Sequence, residues 1–423
     1  MKVLLCAAGS HGDVLPFVAL GRECRARGHH AVLLANPVFR PYAAAAGLDF
    51  VEVGTADGYR AMFSVPVEHD PRLAFARIAS ELLALAPPYL AALQRLREPA
   101  EPVVSAGPPL LFAPMVWRER AGVPCATVHL APAALRSNDA PPRLLARGIG
   151  ADTPGFVKRL WWWGLDRYYD RHFTKPLNRW RHELGLPAIA HAVGWTDGAD
   201  ALIGAFPAWY APPAADWPER LRLTGFFGVD GSEGGDEPPR LDRELDAFLA
   251  AGPAPVVFSA GTATRTARSF FESSVAACRR AGLRGLLMSH VPEQLPADLP
   301  PDVRAVSYAP YGLLLPRAAA FVHHGGIGST AQALRAGVPQ LVRPVAYDQF
   351  DNAARVGRLG VGIELLPAHY DAERAGASLQ ALCSDPMIRE RAAAIAQRMR
   401  APDESGPAAI ARACDALLSL AKG

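Results

Sequence analysis

Short apolar runs that stop abruptly in polar, glycine-bearing turns recur along this chain, and they constrain its fold more than any other feature. At the N-terminus "KVLLCAA" is continuously apolar, as a strand buried on both faces must be. "GSHGD" is turn chemistry, and "VLPFVALGRECRARG" has helical periodicity that stops at Gly28, a fitting C-cap. "HHAVLLAN" reads as the next strand and "PVFRPYAAAAG" as a second helix. Strand, helix, strand in that order implies a parallel sheet with right-handed crossovers. The pattern restarts in the second half, where "APVVFSAGT", "LRGLLMSH", "VRAVSYAP", "AAFVHHGG" and "PQLVRPVAYDQ" each run from strand into polar turn. Between the halves, "GFFGVDGSEGGDEPP" (225–239) is rich in Gly, Pro and acid, has no period, and reads as a linker.

The fold class expected is therefore α/β, with two Rossmann-like units in tandem. Ligands of such sheets bind beyond the carboxyl ends of the strands. The turns 9–13, 259–262, 308–311, 323–330 and 347–352 all lie there. The region 60–200 is less regular: "LAFARIASELLALAPPYLAALQRL" looks helical, "GVPCATVHLAP" looks like a buried strand, and "WWWGLDRYYDRHF" is aromatic and basic.

Several function classes are disfavoured. The formal charge of +3 gives no footprint for nucleic acid. The six cysteines have neither metal-finger nor C-x-x-C spacing, which fits reduced thiols. The apolar start is too short for a signal peptide, and no apolar stretch is expected to reach the ~20 residues of a membrane helix. A cytoplasmic protein is expected. A dinucleotide site needs G-x-G-x-x-G and an acidic residue closing the second strand; here the turn offers Gly9 and Gly12, and the strand closes at Asn36.

"FVHHGGIGST" (321–330) admits a metal site, a base or a phosphate cradle. Adjacent histidines on a strand point to opposite faces, which weighs against zinc. A glycine turn entering a helix offers unpaired N–H groups and the positive end of the dipole to an anion. The plainer alternative is a strand–helix turn with a capping serine.

From "HHGGIGSTAQALRAGVPQLVRPVAYDQFDNA" and from "AAGSHGDVLPFVALGRECRARGHHAVLL", the chain resembles the nucleotide-sugar glycosyltransferases of the GT-B, family 1 type, over nearly its whole length. These include plant and bacterial small-molecule glucosyltransferases, sterol glucosyltransferases and antibiotic glycosyltransferases. "FPAWYAPPAADWP", "LTGFFGVDGS" and "YAPYGLLLPRAAAFVHHGGIGS" are most similar to the bacterial rhamnosyltransferases of rhamnolipid synthesis. The resemblance implies two Rossmann-like domains facing a central cleft. The N-terminal acceptor domain would span 1–225, the linker 226–240, the donor domain 241–402, and a C-terminal helix returning to the first domain 403–423.

It also implies an inverting, metal-independent hexosyl transfer with no cofactor beyond the co-substrate, a dTDP- or UDP-hexose. The donor expected is dTDP-L-rhamnose, and the acceptor a hydroxyalkanoyloxy-alkanoate. The alternative is UDP-glucose transfer to a sterol, polyketide or other lipophilic alcohol; remoter ones are a nucleotide-sugar epimerase and a non-catalytic helper. Peripheral membrane contact at the inner face, and a membrane-associated partner subunit, are compatible with a lipid acceptor.

Site residues follow by position. His324, Gly326, Gly328, Ser329 and Thr330, with Gly261 and Thr262 of "SAGT", match the diphosphate site. Tyr308, beside Ala309, takes the aromatic place of a W-x-P-Q motif that stacks on the base, and Tyr311 replaces its glutamine, which leaves base selectivity open. Gln332 stands where plant relatives grip both ribose hydroxyls with glutamate, which favours a deoxyribose donor. Asp348 and Gln349 match the pair that binds sugar hydroxyls. Relatives show G-H-x-x-P with histidine as base; this chain reads Gly12-Asp13-Val14-Leu15-Pro16, so Asp13 takes the catalytic place and His11 is the fallback. An aspartate base needs a raised pKa or close substrate contact; a plain helix cap is the competing role. Trp161, Trp162 and Trp163 are candidates for the acceptor, against the simpler reading of an amphipathic helix packed on its own domain.

Overall fold

The computed structural model describes residues 1–63, 70–228, 239–261, 264, 266–401 and 404–421. Two compact units divide it: Met1–Pro142, Arg147–Phe227 and Pro402–Gly423 form one, Arg143–Ala146 and Gly228–Ala401 the other. Most of the linker expected at 226–240, residues 229–238, lies outside the described residues.

The first unit holds β1 (Lys2–Cys6), β2 (His30–Ala35), β3 (Asp49–Glu52), β4 (Val103–Gly107), β5 (Cys125–His129), β6 (Ala201–Gly204) and β7 (Leu221–Leu223). They form one parallel sheet in the order β3-β2-β1-β4-β5-β6-β7. The second unit holds β8 (Val256–Ser259), β9 (Gly285–Met288), β10 (Val303–Val306), β11 (Ala320–His323), β12 (Gln340–Val342) and β13 (Gly362–Glu364), parallel in the order β10-β9-β8-β11-β12-β13. The central strands are apolar because both faces are covered. Val256 and Phe258 enter one buried cluster with Val322 and Leu341, while Val257 enters another with Leu286 and Phe321. This is the period of two, filled on both sides.

Strand order reverses once in each sheet, between β1 and β4 and between β8 and β11. Those switch points are where a parallel α/β sheet opens a crevice at its carboxyl edge. The turn 9–13 follows β1; the turns after Ser259 and His323 follow β8 and β11.

The helix Pro71–Leu96 corrects one expectation. It is long and apolar enough, by length and composition, to cross a bilayer. Polar side chains such as Arg77 and Glu81 and the pair Pro87-Pro88 disguise this in the sequence. Its face with Tyr89, Leu90, Ala92 and Leu93 is buried in the core with Leu4, Val32 and Trp117. The Tyr89 hydroxyl donates to the Ala7 carbonyl at 2.6 Å, which ties the helix to the chain leaving β1.

The last helix, Pro407–Leu418, packs on the first, His11–Ala26, with Ala409, Ile410, Ala413, Cys414 and Leu417 buried. Arg27 Nη2 reaches the Ala411 carbonyl at 3.1 Å, and Arg412 Nη2 reaches the Thr224 carbonyl at 2.6 Å.

Candidate active site

In the second unit the chain leaves β11 through His324-Gly325-Gly326 and enters the helix Ile327–Ala336. His323 is fully buried. Its Nδ1 accepts from the Gly325 N–H at 3.1 Å, so its proton sits on Nε2, which donates to Gln340 Oε1 at 3.0 Å. Burial, helped by His324, pushes its pKa down to about 3. His323 is a neutral brace for the turn.

His324 is different. Its Nδ1 is buried and has no hydrogen-bond partner among the described residues. Burial lowers its pKa to about 4, so at neutral pH the ring is uncharged and carries one N–H. Leaving such a group unpaired costs roughly 1–3 kcal/mol. Two glycines enclose the ring. A Cβ on Gly261, whose φ is +87°, would stand 2.6 Å from His324 Cε1, and one on Gly326 would stand 2.5 Å from Nε2. The glycine turns after β8 and β11 therefore meet on this imidazole.

The other glycines divide by cause. Gly325 has φ +88°, and a Cβ there would meet Val342 Cγ1 at 2.7 Å, so the backbone itself requires it. At Gly328 a Cβ would meet nothing within 4 Å. That glycine leaves open space over the first helical turn, where the N–H groups have no intrahelical acceptor. Thr330 is buried and its hydroxyl donates to the Gly326 carbonyl at 3.1 Å, so it closes the turn rather than reaching outward. Ser329 bonds the Tyr311 hydroxyl, which also donates to Ser259 Oγ at 3.2 Å. Thr262 lies outside the described residues.

Beyond β10, Tyr308 is 37 % exposed and stacks on His290, with centroids 5.8 Å apart and planes at 17°. Ala309 is buried, and Gln332 is 5 % exposed with a buried Nε2 that has no partner among the described residues. Beyond β12, Tyr347 has φ +58°, alone among the described non-glycine residues in a positive value. Such strain persists where surroundings over-determine the backbone, as at ligand sites. The Gln349 Oε1 accepts from the N–H groups of Val345 and Ala346 at 2.8 and 3.0 Å, so its acceptor end is consumed by the loop. Asp348 Oδ2 accepts from Asn352 Nδ2 at 2.8 Å, and the same amide nitrogen donates to the Gly325 carbonyl at 2.9 Å. The sequence alone does not single out Asn352 or His290. The i,i+4 spacing of Asp348 and Asn352 is the signal that could have found the first; for His290 the stacking is visible only in the fold.

In the first unit Ser10 caps the helix His11–Ala26, and its N–H and hydroxyl donate to Asp13 Oδ2 at 2.7 and 2.9 Å. Gly9 has φ +120°, and a Cβ there would collide with that oxygen. Burial raises the Asp13 pKa above the usual carboxylate range, against the two Ser10 bonds. Asp13 is thus both a cap and a carboxylate of raised basicity. Its cap bonds fall on Oδ2, not Oδ1. His11 packs edge-on against Phe39 and Tyr42, with centroids 5.1 and 5.5 Å away.

The three tryptophans separate. Trp162 is buried under the Arg136 guanidinium at 4.6 Å, and Trp163 is 56 % exposed beneath Arg167 at 4.4 Å. Both line a cavity of about 550 Å³ with Arg136, Asn138, Asp166 and His191. Trp161 is half-buried and does not line it.

Residues 287–417 match the family described as erythromycin biosynthesis protein CIII-like, C-terminal domain. The chain is 34 % identical over 417 residues to O-mycaminosyltylonolide 6-deoxyallosyltransferase of Streptomyces fradiae, covering 95 % of this chain and 94 % of that protein. Among solved structures, the kitacinnamycin glycotransferase superposes with a TM-score of 0.75 at 22 % identity, over 99 % of this chain and 98 % of that one. The glycosyltransferase VinC in complex with dTDP superposes at 0.65 and 21 % identity, over 100 % of both. At those identities the structures speak for the fold alone.

Proposed function

This chain belongs to the nucleotide-sugar glycosyltransferases of the GT-B, family 1 type, and on that premise we propose that it transfers L-rhamnose from dTDP-L-rhamnose, with inversion, to a hydroxyl of a hydroxyalkanoyloxy-alkanoate. The observation that carries the donor half is the neutral, unpaired His324 enclosed by two glycine turns at a sheet switch point. An imidazole N–H, the first-turn N–H groups of the helix Ile327–Ala336 and the open space at Gly328 form a cradle for a diphosphate. As the bond from the anomeric carbon to the diphosphate oxygen breaks, negative charge grows on the leaving group. Hydrogen bonds to a charged oxygen are worth roughly 1.5–3 kcal/mol each, so these donors strengthen as the transition state forms.

The attacking hydroxyl loses its proton to Asp13, whose raised pKa makes it a better base than an exposed carboxylate. Inversion follows from single displacement, the acceptor oxygen entering on the face opposite the departing phosphate. Gln332, uncharged and with an unpaired amide nitrogen, suits a deoxyribose with one hydroxyl fewer. A relative whose name specifies a 6-deoxyallosyl group supports a 6-deoxyhexose, the class to which rhamnose belongs. The aromatic and cationic cavity beside Trp162 and Trp163 suits an acceptor with an apolar body and an anionic end.

Incubation of the purified protein with dTDP-L-rhamnose or UDP-glucose, each with a hydroxyalkanoyloxy-alkanoate or a sterol, tests the reading by mass spectrometry. Rhamnolipid with equimolar dTDP is expected. A glucoside with no rhamnoside would replace the donor, and a sterol glycoside with no glycosylated alkanoate would replace the acceptor.

A further inference from the structure

Cys24, near the end of the helix His11–Ala26, and Cys414, in the helix Pro407–Leu418, stand with their sulfurs 3.2 Å apart, both fully buried. Among the six cysteines no other pair has sulfurs in bonding contact. A disulfide needs ~2.05 Å between sulfurs and Cβ atoms about 3.5–4.5 Å apart, so closing this pair asks for a shift on the order of one ångström. Arg27 holds the two helices in register: its guanidinium bonds Glu23 on its own helix, and Asp415 and the Ala411 carbonyl on the other. From the contact and this bracing we propose that Cys24 and Cys414 are a thiol–disulfide modification site, oxidised by a low-molecular-weight disulfide of the glutathione class to a bond that staples the last helix to the first.

The step balances by exchange. The Cys414 thiolate attacks one sulfur of glutathione disulfide and expels a glutathione thiolate, leaving a mixed disulfide. Cys24 then loses its proton, attacks the Cys414 sulfur and expels the second glutathione. Two protein thiols are oxidised as one glutathione disulfide is reduced to two thiols. The sulfur–sulfur contact has no fixed donor, so the same exchange can start at either thiol. Because both sulfurs are buried, exchange waits on a local opening that parts the two helices. The bond, once formed, closes a loop between positions 390 apart in sequence, which strongly restricts the unfolded chain.

The test uses the full chain equilibrated in glutathione buffers of increasing oxidised fraction, with thiols counted after denaturation and peptides mapped without reduction. The expected result is loss of two of the six thiols, a Cys24–Cys414 linked peptide, and a melting temperature raised by roughly 3 °C or more, all reversed by dithiothreitol. Cys24→Ser and Cys414→Ser should each keep their remaining thiols. A linkage between other cysteines, a stable single glutathione adduct, or six thiols surviving the most oxidising buffer would overturn the proposal. The wild-type mapping decides the matter even if a variant fails to fold, and none of these readouts depends on transferase activity.

Discussion

Gly328 and Asp13 place opposite demands on stability and activity. Among the described residues nothing requires glycine at 328, since a Cβ there meets none of them within 4 Å. Gly328→Ala in the first helical turn should stabilise the fold by about 0.5–1 kcal/mol. The added methyl stands over the N–H groups assigned to the diphosphate, so donor affinity should fall about tenfold. Thermal melting and calorimetry with dTDP separate the two effects; unchanged dTDP affinity would remove Gly328 from the cradle. Asp13 carries a raised pKa, so the folded state holds its proton more tightly than the unfolded chain does. Its contribution is favourable at acid pH and is lost as pH rises through the folded pKa, so the ionised group works against stability at neutrality. Asp13→Asn should therefore keep or raise the melting temperature at pH 7 while turnover falls about 10²–10⁴-fold and dTDP binding persists. Comparable turnover in the variant would shift the base to His11.

At the level of elements, the turn after β11 carries two histidines whose folded pKa values, about 3 and about 4, lie below the ordinary 6.5. The unfolded chain binds more protons between those limits, so stability is whole above about pH 6.5 and is lost as pH falls toward 4. His324→Gln removes one of the two protons linked to unfolding between about pH 6.5 and 4, and leaves that of His323. Melting temperatures of the two proteins between pH 6.5 and 5 should diverge, with the variant flatter; parallel curves would mean that His324 is not held neutral. The same turn shows what the sequence makes legible. Strands such as β1, β8 and β11 stand out because both faces are buried and nearly every residue is apolar. β7, "LRL", and β13, "GIE", lie at sheet edges, are three residues long and are not buried, and carry no such pattern. His323 and His324 differ in role because of Gln340 and Gly261, which approach from other strands and leave no trace in the local spacing. Asn352 links the Gly325 carbonyl to Asp348 for the same reason: a loop and a helix that meet only in the folded chain.

For the molecule as a whole, the first unit is completed by the end of the chain. The helix Pro407–Leu418 covers the helix His11–Ala26 and contacts β4 and β6. Phe226 pairs with Ser405 as an isolated bridge, and at Gly225, φ +94°, a Cβ would stand 2.6 Å from the Glu404 carbonyl, so the returning segment is seated closely. Ile410 and Leu417 are almost fully buried, and each such side chain contributes roughly 1.5–3 kcal/mol. Removing residues 404–423 would expose Cys24 and the apolar face of the first helix, and would leave Arg27 without Asp415. A truncated chain should therefore show faster hydrogen exchange in β1, β4 and β6, with the amides of β11 and β12 unaffected, because those strands belong to the other compact unit. Since Asp13 sits on the first helix and His324 beyond β11, the same truncation should lower turnover more than dTDP affinity. Equal loss of both, or protection unchanged in β4 and β6, would show that the last helix is not part of the first unit's core.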